Sequence, residues 1–170
     1  ESLLELNKIS VTDYQAGFQI IRIDEVIWEA RSLAQKLNST YKVLFDTQFM
    51  PDDEELLMLK GDEKLMLTAI KNLIENACKF SPNKQAQVSL AIHANQIEIE
   101  VKNEGKGIPE ADLPFIFQPF FRGENTANSK GYGIGLSLVE RIIHLHNGQI
   151  SVSSALNSWT TFKVNLPINN

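Results

Sequence analysis

The chain has 170 residues, of which 43% are hydrophobic and 22% are charged, an ordinary composition for one folded domain with its own core. The formal net charge of −5 argues against nucleic acid as a partner, because contacts with a phosphate backbone need a basic surface. The single cysteine, Cys78, excludes an internal disulfide and a zinc site built from several cysteines. No apolar run approaches ~20 residues, so no segment predicts a membrane span or direct membrane contact.

The first residues have the pattern of the end of a longer helix, and the chain does not begin with methionine. We expect residues 1–12 to be the last turns of an upstream dimerisation helix and residues 13–170 to form the globular domain. Four apolar residues carry this interpretation through their helical spacing: Leu3, Leu4, Leu6 and Ile9.

The first half of the globular domain predicts a strand at 18–23 and a helix that begins at Asp24 as its N-cap and ends near Leu37. Two short strands are predicted at 41–45 and 56–60, on either side of an acidic turn. A long helix then follows, capped by Gly61 and Asp62 and running to Phe80. It stops before Pro82, because the residue that precedes a proline avoids the helical region.

The second half begins with two runs of alternating apolar residues, 88–92 and 97–101, which predict a hairpin with its turn at Ala94-Asn95. Residues 104–130 show no regular period and therefore predict either a functional loop or a disordered one. A helix is expected over 134–146, with Asn147-Gly148 as its stop, before two final strands at 149–153 and 160–166. This order of elements predicts an α+β two-layer sandwich.

One face of the long helix carries a stripe of polar side chains that includes Asn72, Asn76 and Lys79, which lie three and four residues apart. An asparagine inside a helix costs about 0.7 kcal/mol relative to alanine, so two of them suggest a role beyond solubility. The amide oxygen suits a hard cation such as Mg²⁺, and the lysine offers a point charge to phosphate. The alternative is an ordinary solvated helix face.

Two glycine clusters lie downstream of this helix. One pair follows a predicted strand, and the other three glycines precede a predicted helix, where backbone N–H groups and the helix dipole favour phosphate oxygens. The chain contains neither a P-loop nor a dinucleotide-binding Rossmann motif. The clusters comprise Gly105 and Gly107, and Gly131, Gly133 and Gly135.

Together, these stretches resemble the catalytic, ATP-binding domain of bacterial sensor histidine kinases, within the GHKL group of ATPases. The resemblance covers roughly residues 18–167. Residues 72–80 resemble the N box, 103–108 the first glycine box, 116–123 the F box and 131–136 the second glycine box.

The resemblance implies a Bergerat fold, with a mixed sheet of about five strands, helices on one face, and ATP held beneath a lid at about 104–130. It implies that Asn76 binds Mg²⁺, that Asn72 supports the phosphates and the metal, and that Lys79 and Arg122 contact phosphate. The first three of these residues would be the catalytic ones. The full set that it implies for ATP binding is Asn72, Asn76, Lys79, Phe80, Asn103, Gly105, Gly107, Ile108, Arg122, Gly131, Tyr132, Gly133, Ile134, Gly135 and Leu136.

The chain departs from the family pattern at the first position of the first glycine box. The family usually has an aspartate there, which accepts a hydrogen bond from the adenine amino group, whereas this chain has Asn103. An amide oxygen can still accept that bond, but the charge and one acceptor site are lost. We therefore expect ATP to bind about 1–2 kcal/mol more weakly, or less selectively.

Position 72 bears on the reaction. In the water-activating relatives of the group, a glutamate four residues before the metal-binding asparagine is the general base for hydrolysis. Here the position holds Asn72, an amide that is not a base, and Glu75 has the wrong spacing for that role. The resemblance therefore implies that phosphate passes to a better nucleophile than water.

That nucleophile would be a histidine imidazole. His93, His144 and His146 are not in the family's phosphoacceptor setting, so we expect the acceptor on a dimerisation domain of the same full-length kinase, absent from this chain. The chain alone should then phosphorylate itself slowly or not at all. A response regulator is the expected indirect partner, and the expected location is cytoplasmic, either in a free kinase or as the cytoplasmic part of a membrane-bound sensor.

Two alternatives to the histidine kinase interpretation stay open. One is another GHKL ATPase or protein kinase, which Asn72 disfavours. The other is a degenerate, non-catalytic nucleotide-sensing module, which Asn103 supports and which Asn76 and the two glycine clusters oppose.

Overall fold

The computed structural model describes residues 15–123 and 133–168 of the chain. Within them a five-stranded mixed sheet, in the order β2-β4-β5-β7-β6, carries three helices on one face, and β1 and β3 form a separate antiparallel pair. The predicted α+β sandwich is confirmed. The strands are β1 (Gln19–Arg22), β2 (Lys42–Asp46), β3 (Met58–Gly61), β4 (Gln85–His93), β5 (Gln96–Glu104), β6 (Gln149–Ala155) and β7 (Trp159–Pro167), and the helices are α1 (Ile23–Leu37), α2 (Glu63–Phe80) and α3 (Gly135–Leu145).

Helix α1 begins one residue before the predicted cap. Its N-cap position is Arg22, and Asp24 lies inside the first turn, so the sequence-based cap was wrong. The reason is a stronger partner for the carboxylate: Arg22 donates two hydrogen bonds to Asp24, at 3.2 and 2.7 Å, and a third to Glu54 at 2.7 Å. This group joins β1, the start of α1 and the short 3₁₀ helix Glu54–Leu57.

Helix α2 has the predicted limits, because both of its ends are capped by the expected residues. The side chain of Asp62 accepts a hydrogen bond from the N–H of Leu65 at 3.0 Å, and the helix ends at Phe80 before Ser81. Its apolar face is fully buried against the sheet and against α1 and α3. The polar stripe that includes Asn72, Asn76 and Lys79 therefore faces away from the core.

The hairpin between β4 and β5 also has the predicted form. Ala94 and Asn95 have φ values of 48° and 60°, the left-handed conformation that two-residue hairpin turns require. The alternating residues of both strands bury one face beneath the helices, and Val88, Leu90, Ile97, Ile99 and Val101 are inaccessible to solvent. The sheet is mixed because β2 pairs with β4 in parallel, whereas its other strands are antiparallel.

The C-terminal end of α3 is fixed by His146, which is 3% exposed. Its Nε2 accepts a hydrogen bond from the N–H of Asp62 at 3.0 Å, so its proton lies on Nδ1, which donates to the carbonyl of Ile142 at 2.7 Å. Burial lowers the pKa of this imidazole. The ring also stacks on Phe18, with 4.6 Å between the ring centroids, so His146 has a structural role.

Across residues 15–123 and 133–168, no helix is long enough and apolar enough to cross a bilayer.

Candidate functional site

A cleft of about 1090 Å³ opens between α2, the start of α3 and the segment after β5. Its volume is slightly above the usual range of small-molecule sites, which ends at about 1,000 Å³. The polar stripe of α2 lines it, because the opposite face of the helix is committed to the core. Of the residues predicted for ATP, those that line the cleft are Asn72, Asn76, Lys79, Phe80, Asn103, Gly107, Ile108, Arg122, Gly133, Ile134, Gly135 and Leu136.

Asn72 is held against the N-terminus of α3. Its Nδ2 donates a hydrogen bond to the carbonyl of Thr68 at 2.8 Å, one turn earlier on α2. Its Oδ1 points toward Gly135, where a Cβ atom would lie 3.3 Å from that oxygen. The side-chain amide of Asn72 on α2 and the first turn of α3 therefore meet on the same side of the cleft.

Lys79 and Arg122 bring two cations to the cleft from different elements. Burial, and secondarily the charge of Arg122, lowers the pKa of Lys79, so the two cations are close enough to repel each other. The Nζ atom of Lys79 lies 5.3 Å from the ring centroid of Phe80. Two like charges that converge on a cleft are stabilised by an anion between them.

The second glycine cluster lies at the cleft. Gly133 has a φ of +71°, and a Cβ there would lie 2.8 Å from the carbonyl oxygen of Phe121. The Gly133 carbonyl accepts a hydrogen bond from the N–H of Phe120 at 2.9 Å, which ties the start of α3 to the F box. Two predicted members of the site, Gly131 and Tyr132, lie outside the described residues.

The first glycine cluster has different neighbours. A Cβ on Gly105 would overlap the carbonyl oxygen of Phe80, at the end of α2, and one on Gly107 would overlap that of Ala155. Gly107 has a φ of +70° and lines the cleft, whereas Gly105 lines a smaller depression beside it. The structure therefore does not group Gly105 with the other predicted ATP-binding residues.

Strands β5 and β7 provide part of the cleft wall. Asn103 is 7% exposed and pairs in register with Thr160, whose hydroxyl lies 2.8 Å from Ser154 Oγ. The Nδ2 of Asn103 donates to the carbonyl of Glu104 at 3.0 Å. Sequence reasoning missed Thr160 as a residue of this wall. The alternation of β7 could have indicated its face, but the residues opposite it follow only from the strand pairing.

The F-box phenylalanines have separate environments. Phe117 packs edge-on against Phe162 with 6.3 Å between ring centroids, and Phe121 lies 6.0 Å from Phe115. Phe120 is 74% exposed, with a φ of 66°. Two of the three therefore contact other aromatic rings, and Phe120 contacts no other ring among residues 15–123 and 133–168.

The chemistry of the site fits a metal held mainly by phosphate. Across 15–123 and 133–168, no group of three or more His, Cys, Asp or Glu side chains could hold a metal ion. Asn76 lines the cleft, and its side chain carries a neutral amide oxygen. Mg²⁺ keeps several waters and usually takes one or two protein ligands together with substrate phosphates, so this donor set suits it.

Comparisons with known proteins agree on one family. The family of histidine kinase-, DNA gyrase B- and HSP90-like ATPases matches residues 61–170. The signal transduction histidine-protein kinase ArlS of Staphylococcus aureus strain USA300 is 35% identical over 167 residues, which are 96% of this chain and 36% of ArlS. This chain therefore spans about a third of that relative's length.

Two solved structures are similar to this one over most of their length. The mycobacterial sensor histidine kinase MprB has a TM-score of 0.73 and 25% identity, with 88% of this chain and 97% of that chain covered. The nucleotide-free catalytic domain of histidine kinase ThkA also has a TM-score of 0.73 and 25% identity, with 89% and 95% covered. The chain therefore belongs to the histidine kinase-, DNA gyrase B- and HSP90-like ATPase family, as an ATP-binding catalytic domain of the histidine kinase type.

Proposed function

We propose that this chain binds Mg·ATP in the cleft and transfers the γ-phosphoryl group to a histidine on a dimerisation domain of the same full-length kinase. The observation that supports it best is the meeting of the Asn72 amide with Gly135 at the start of α3, beside Lys79 and Arg122. This arrangement combines a helix N-terminus, amide groups and cations around one volume, which suits a triphosphate.

Each side chain has a distinct part in the proposed site. Asn76 would bind Mg²⁺, which when bound neutralises charge on the transferred phosphoryl group. Asn72 would hold the phosphates against the N-terminus of α3. Lys79 and Arg122 would offset the negative charge of the triphosphate from two sides, and the pKa of Lys79, lowered by burial and by Arg122, would rise again in the complex.

The proposed acceptor lies outside the described residues. Among the histidines of the chain, His146 is buried and hydrogen-bonded at both ring nitrogens, so it is not presented to a nucleotide. His93 lies 3.9 Å from Glu98 at the far end of β4, and neither it nor His144 lines the cleft. Residues 1–12, the predicted end of an upstream dimerisation helix, lie outside the described ranges, and that assignment remains a proposal.

The names of two similar proteins suggest where this domain works and which partner it has. ArlS is named as a signal transduction histidine-protein kinase, and MprB as a sensor histidine kinase. We infer that this domain works in the cytoplasm, where ATP is available, and that a response regulator receives the phosphoryl group from the phosphorylated histidine.

Two measurements test the proposal. Calorimetric titration of this chain with Mg·ATP should give saturable heat, and no heat at millimolar nucleotide would contradict ATP binding. Mixing the chain with its dimerisation domain and radiolabelled Mg·ATP should then place an acid-labile label on the histidine of that domain. Release of inorganic phosphate alone would indicate an ATPase instead, and stoichiometric label on this chain by itself would contradict an external acceptor.

A further inference from the structure

Helices α2 and α3 are joined at two points, and the cleft is built at one of them. The Oδ1 atom of Asn72, in the middle of α2, lies against Gly135 at the start of α3. At the other point, the N–H of Asp62 donates to Nε2 of His146 at 3.0 Å. Positions 62 to 72 on α2 and 135 to 146 on α3 each span about 15–16 Å at 1.5 Å per residue. The two helices therefore run antiparallel between a contact at the cleft and a contact at His146.

His146 completes the N-terminal cap of α2 from a distant part of the chain. In a capping box, the third helical residue is a Glu or Gln whose side chain accepts a hydrogen bond from the N–H of the N-cap residue. The N-cap of α2 is Asp62, and its third helical residue is Leu65, whose side chain has no acceptor. The imidazole of His146, 84 positions away in the sequence, accepts that bond instead. The cap of α2 is therefore complete only while the end of α3 stays beside it.

The ring of His146 fits a space that its neighbours leave for it. A Cβ on Gly61 would lie 2.6 Å from the Cδ2 atom of the ring, so a side chain at that position would displace the imidazole. Phe18 stacks on the ring with 16° between the two planes. Beside it, Gln15 Nε2 donates to the carbonyl of Leu145 at 2.6 Å, which satisfies a carbonyl at the end of α3. These contacts hold the end of α3 in one position against α2.

The hydrogen bond from Asp62 requires a neutral imidazole. Nδ1 of His146 already donates to the carbonyl of Ile142 at 2.7 Å, so a second proton would go to Nε2, where it would face the N–H of Asp62. Burial lowers the pKa of the ring from 6.5, and the bond to Ile142 and the charge of Asp62 oppose that change. The neighbours from the other packed elements, Phe18 and Gly61, carry no charge. The neutral ring therefore stabilises this contact fully above pH 6.5, and the contribution is lost as the pH falls through the lowered pKa.

We propose that His146 is a positioning residue for the nucleotide site, which holds α2 and α3 in the register that binds the triphosphate and releases them when its ring is protonated. This inference rests on the proposed nucleotide-binding function. His146 lies at the opposite end of the helix pair from Asn72 and Gly135, so it acts without touching the nucleotide. Because a helix moves as a rigid body, a shift at its His146 end also moves Gly135, and a displacement of about 1 Å is enough to weaken a positioned site.

The first test compares Mg·ATP binding at about pH 7.5, where the ring is neutral, by calorimetry. His146→Leu has a side chain without an acceptor, and its Kd should be about fivefold higher, at the lower end of typical coupling between sites. His146→Gln, whose amide oxygen can accept from Asp62, should bind within about twofold of the unaltered chain. His144→Leu, the matched change at an exposed position of α3, should also bind like the unaltered chain.

Thermal melts followed by circular dichroism show whether each variant is folded at the temperature of the titration. A folded His146→Leu with an unchanged Kd would mean that the ring only stabilises the fold, and this would overturn the proposal. A Kd for His146→Gln as high as that of His146→Leu would also overturn it, because the acceptor would then not be the cause.

The second test uses the unaltered chain and does not depend on the folding of a variant. NMR of the imidazole nitrogens measures the pKa of His146 with and without saturating Mg·ATP. If protonation weakens binding, the nucleotide must lower that pKa, because the coupling is reciprocal. A triphosphate that acted only through its negative charge would raise it. An unchanged or raised pKa would overturn the proposal, whereas absence of Mg·ATP binding to the unaltered chain would contradict the proposed function instead.

Discussion

Gly105 and Gly107 follow β5, and Gly133 and Gly135 surround the start of α3, yet the two pairs meet different surroundings. In the first pair, an added Cβ would overlap the carbonyl oxygen of Phe80 or of Ala155. At Gly135 the neighbour within residues 15–123 and 133–168 would be the amide oxygen of Asn72, at 3.3 Å. The same sequence signal therefore has two physical causes, backbone packing at the first cluster and an open approach to the cleft at the second. Gly107 and Gly133 share both causes, because an added Cβ on either would crowd a backbone carbonyl and both residues line the cleft.

The largest effect is expected for Gly107→Ala, which should lower the free energy of unfolding by about 3 kcal/mol or more. The methyl group would overlap the Ala155 carbonyl, and the positive φ adds about 1–2 kcal/mol of strain. Urea denaturation measures the change. Lys106→Ala, an exposed neighbour, should stay within about 0.5 kcal/mol. Equal stability of the two variants would show that the first cluster is not a packing site.

A second variant acts on the cleft alone. Asn76→Ala should reduce Mg·ATP affinity by about 2 kcal/mol, roughly 30-fold, because a ligand of the proposed Mg²⁺ is lost. Stability should change little, since alanine favours the helix by about 0.7 kcal/mol. Titration in the presence and absence of Mg²⁺ should show that the variant has lost most of the Mg²⁺ dependence. Lys64→Ala, exposed at the start of α2, should bind like the unaltered chain.

Gly135→Ala sharpens the contrast with Gly107. We expect unfolding free energy within about 1 kcal/mol of the original, because the contact is with a side chain and the helical position tolerates alanine. Mg·ATP affinity should fall about tenfold, because the methyl group crowds the Asn72 amide and the approach to the helix N-terminus. A large loss of stability with normal affinity, measured by denaturation and calorimetry, would contradict the division between the clusters.

The smallest expected effect concerns pH. Burial and Arg122 lower the pKa of Lys79 from its ordinary 10.5, so its charge is lost at a lower pH than in a free lysine. A bound triphosphate would raise that pKa, so binding takes up a proton and affinity should fall several-fold as pH rises through the lowered pKa. Lys79→Arg stays charged and should show a flatter dependence in titrations between pH 7 and pH 10. The same slope in both proteins would mean that Lys79 does not contact the triphosphate.

Much of the fold could be predicted from local patterns. The 3.6-residue period of α2 and its cap at Asp62 gave the helix its observed limits, and the alternation on either side of Ala94-Asn95 gave the β4–β5 hairpin. The helix start at Asp24 was wrong because Arg22 competes for the carboxylate. Arg22 is itself held in place by a further hydrogen bond to Glu54, which is far away in the sequence.

The candidate site was predicted to a similar degree. The stripe of Asn72, Asn76 and Lys79 was predicted to face a ligand, and all three residues line the cleft with Arg122. Their roles in binding remain predictions. Gly105 has a packing environment that no local pattern distinguishes from a phosphate-binding one, since both favour the absence of a side chain.

The sequence by itself determined the types of the elements and the order of the four motifs, because periodicity and capping are carried by residues within a few positions of each other. Only the tertiary structure decided which atoms meet: Asn72 with Gly135, Gly105 with Phe80, and Asn103 with Thr160 across the β5–β7 pair. Those contacts join residues from 25 to 63 positions apart, and they depend on how strands pair and helices pack, which no short window of sequence encodes.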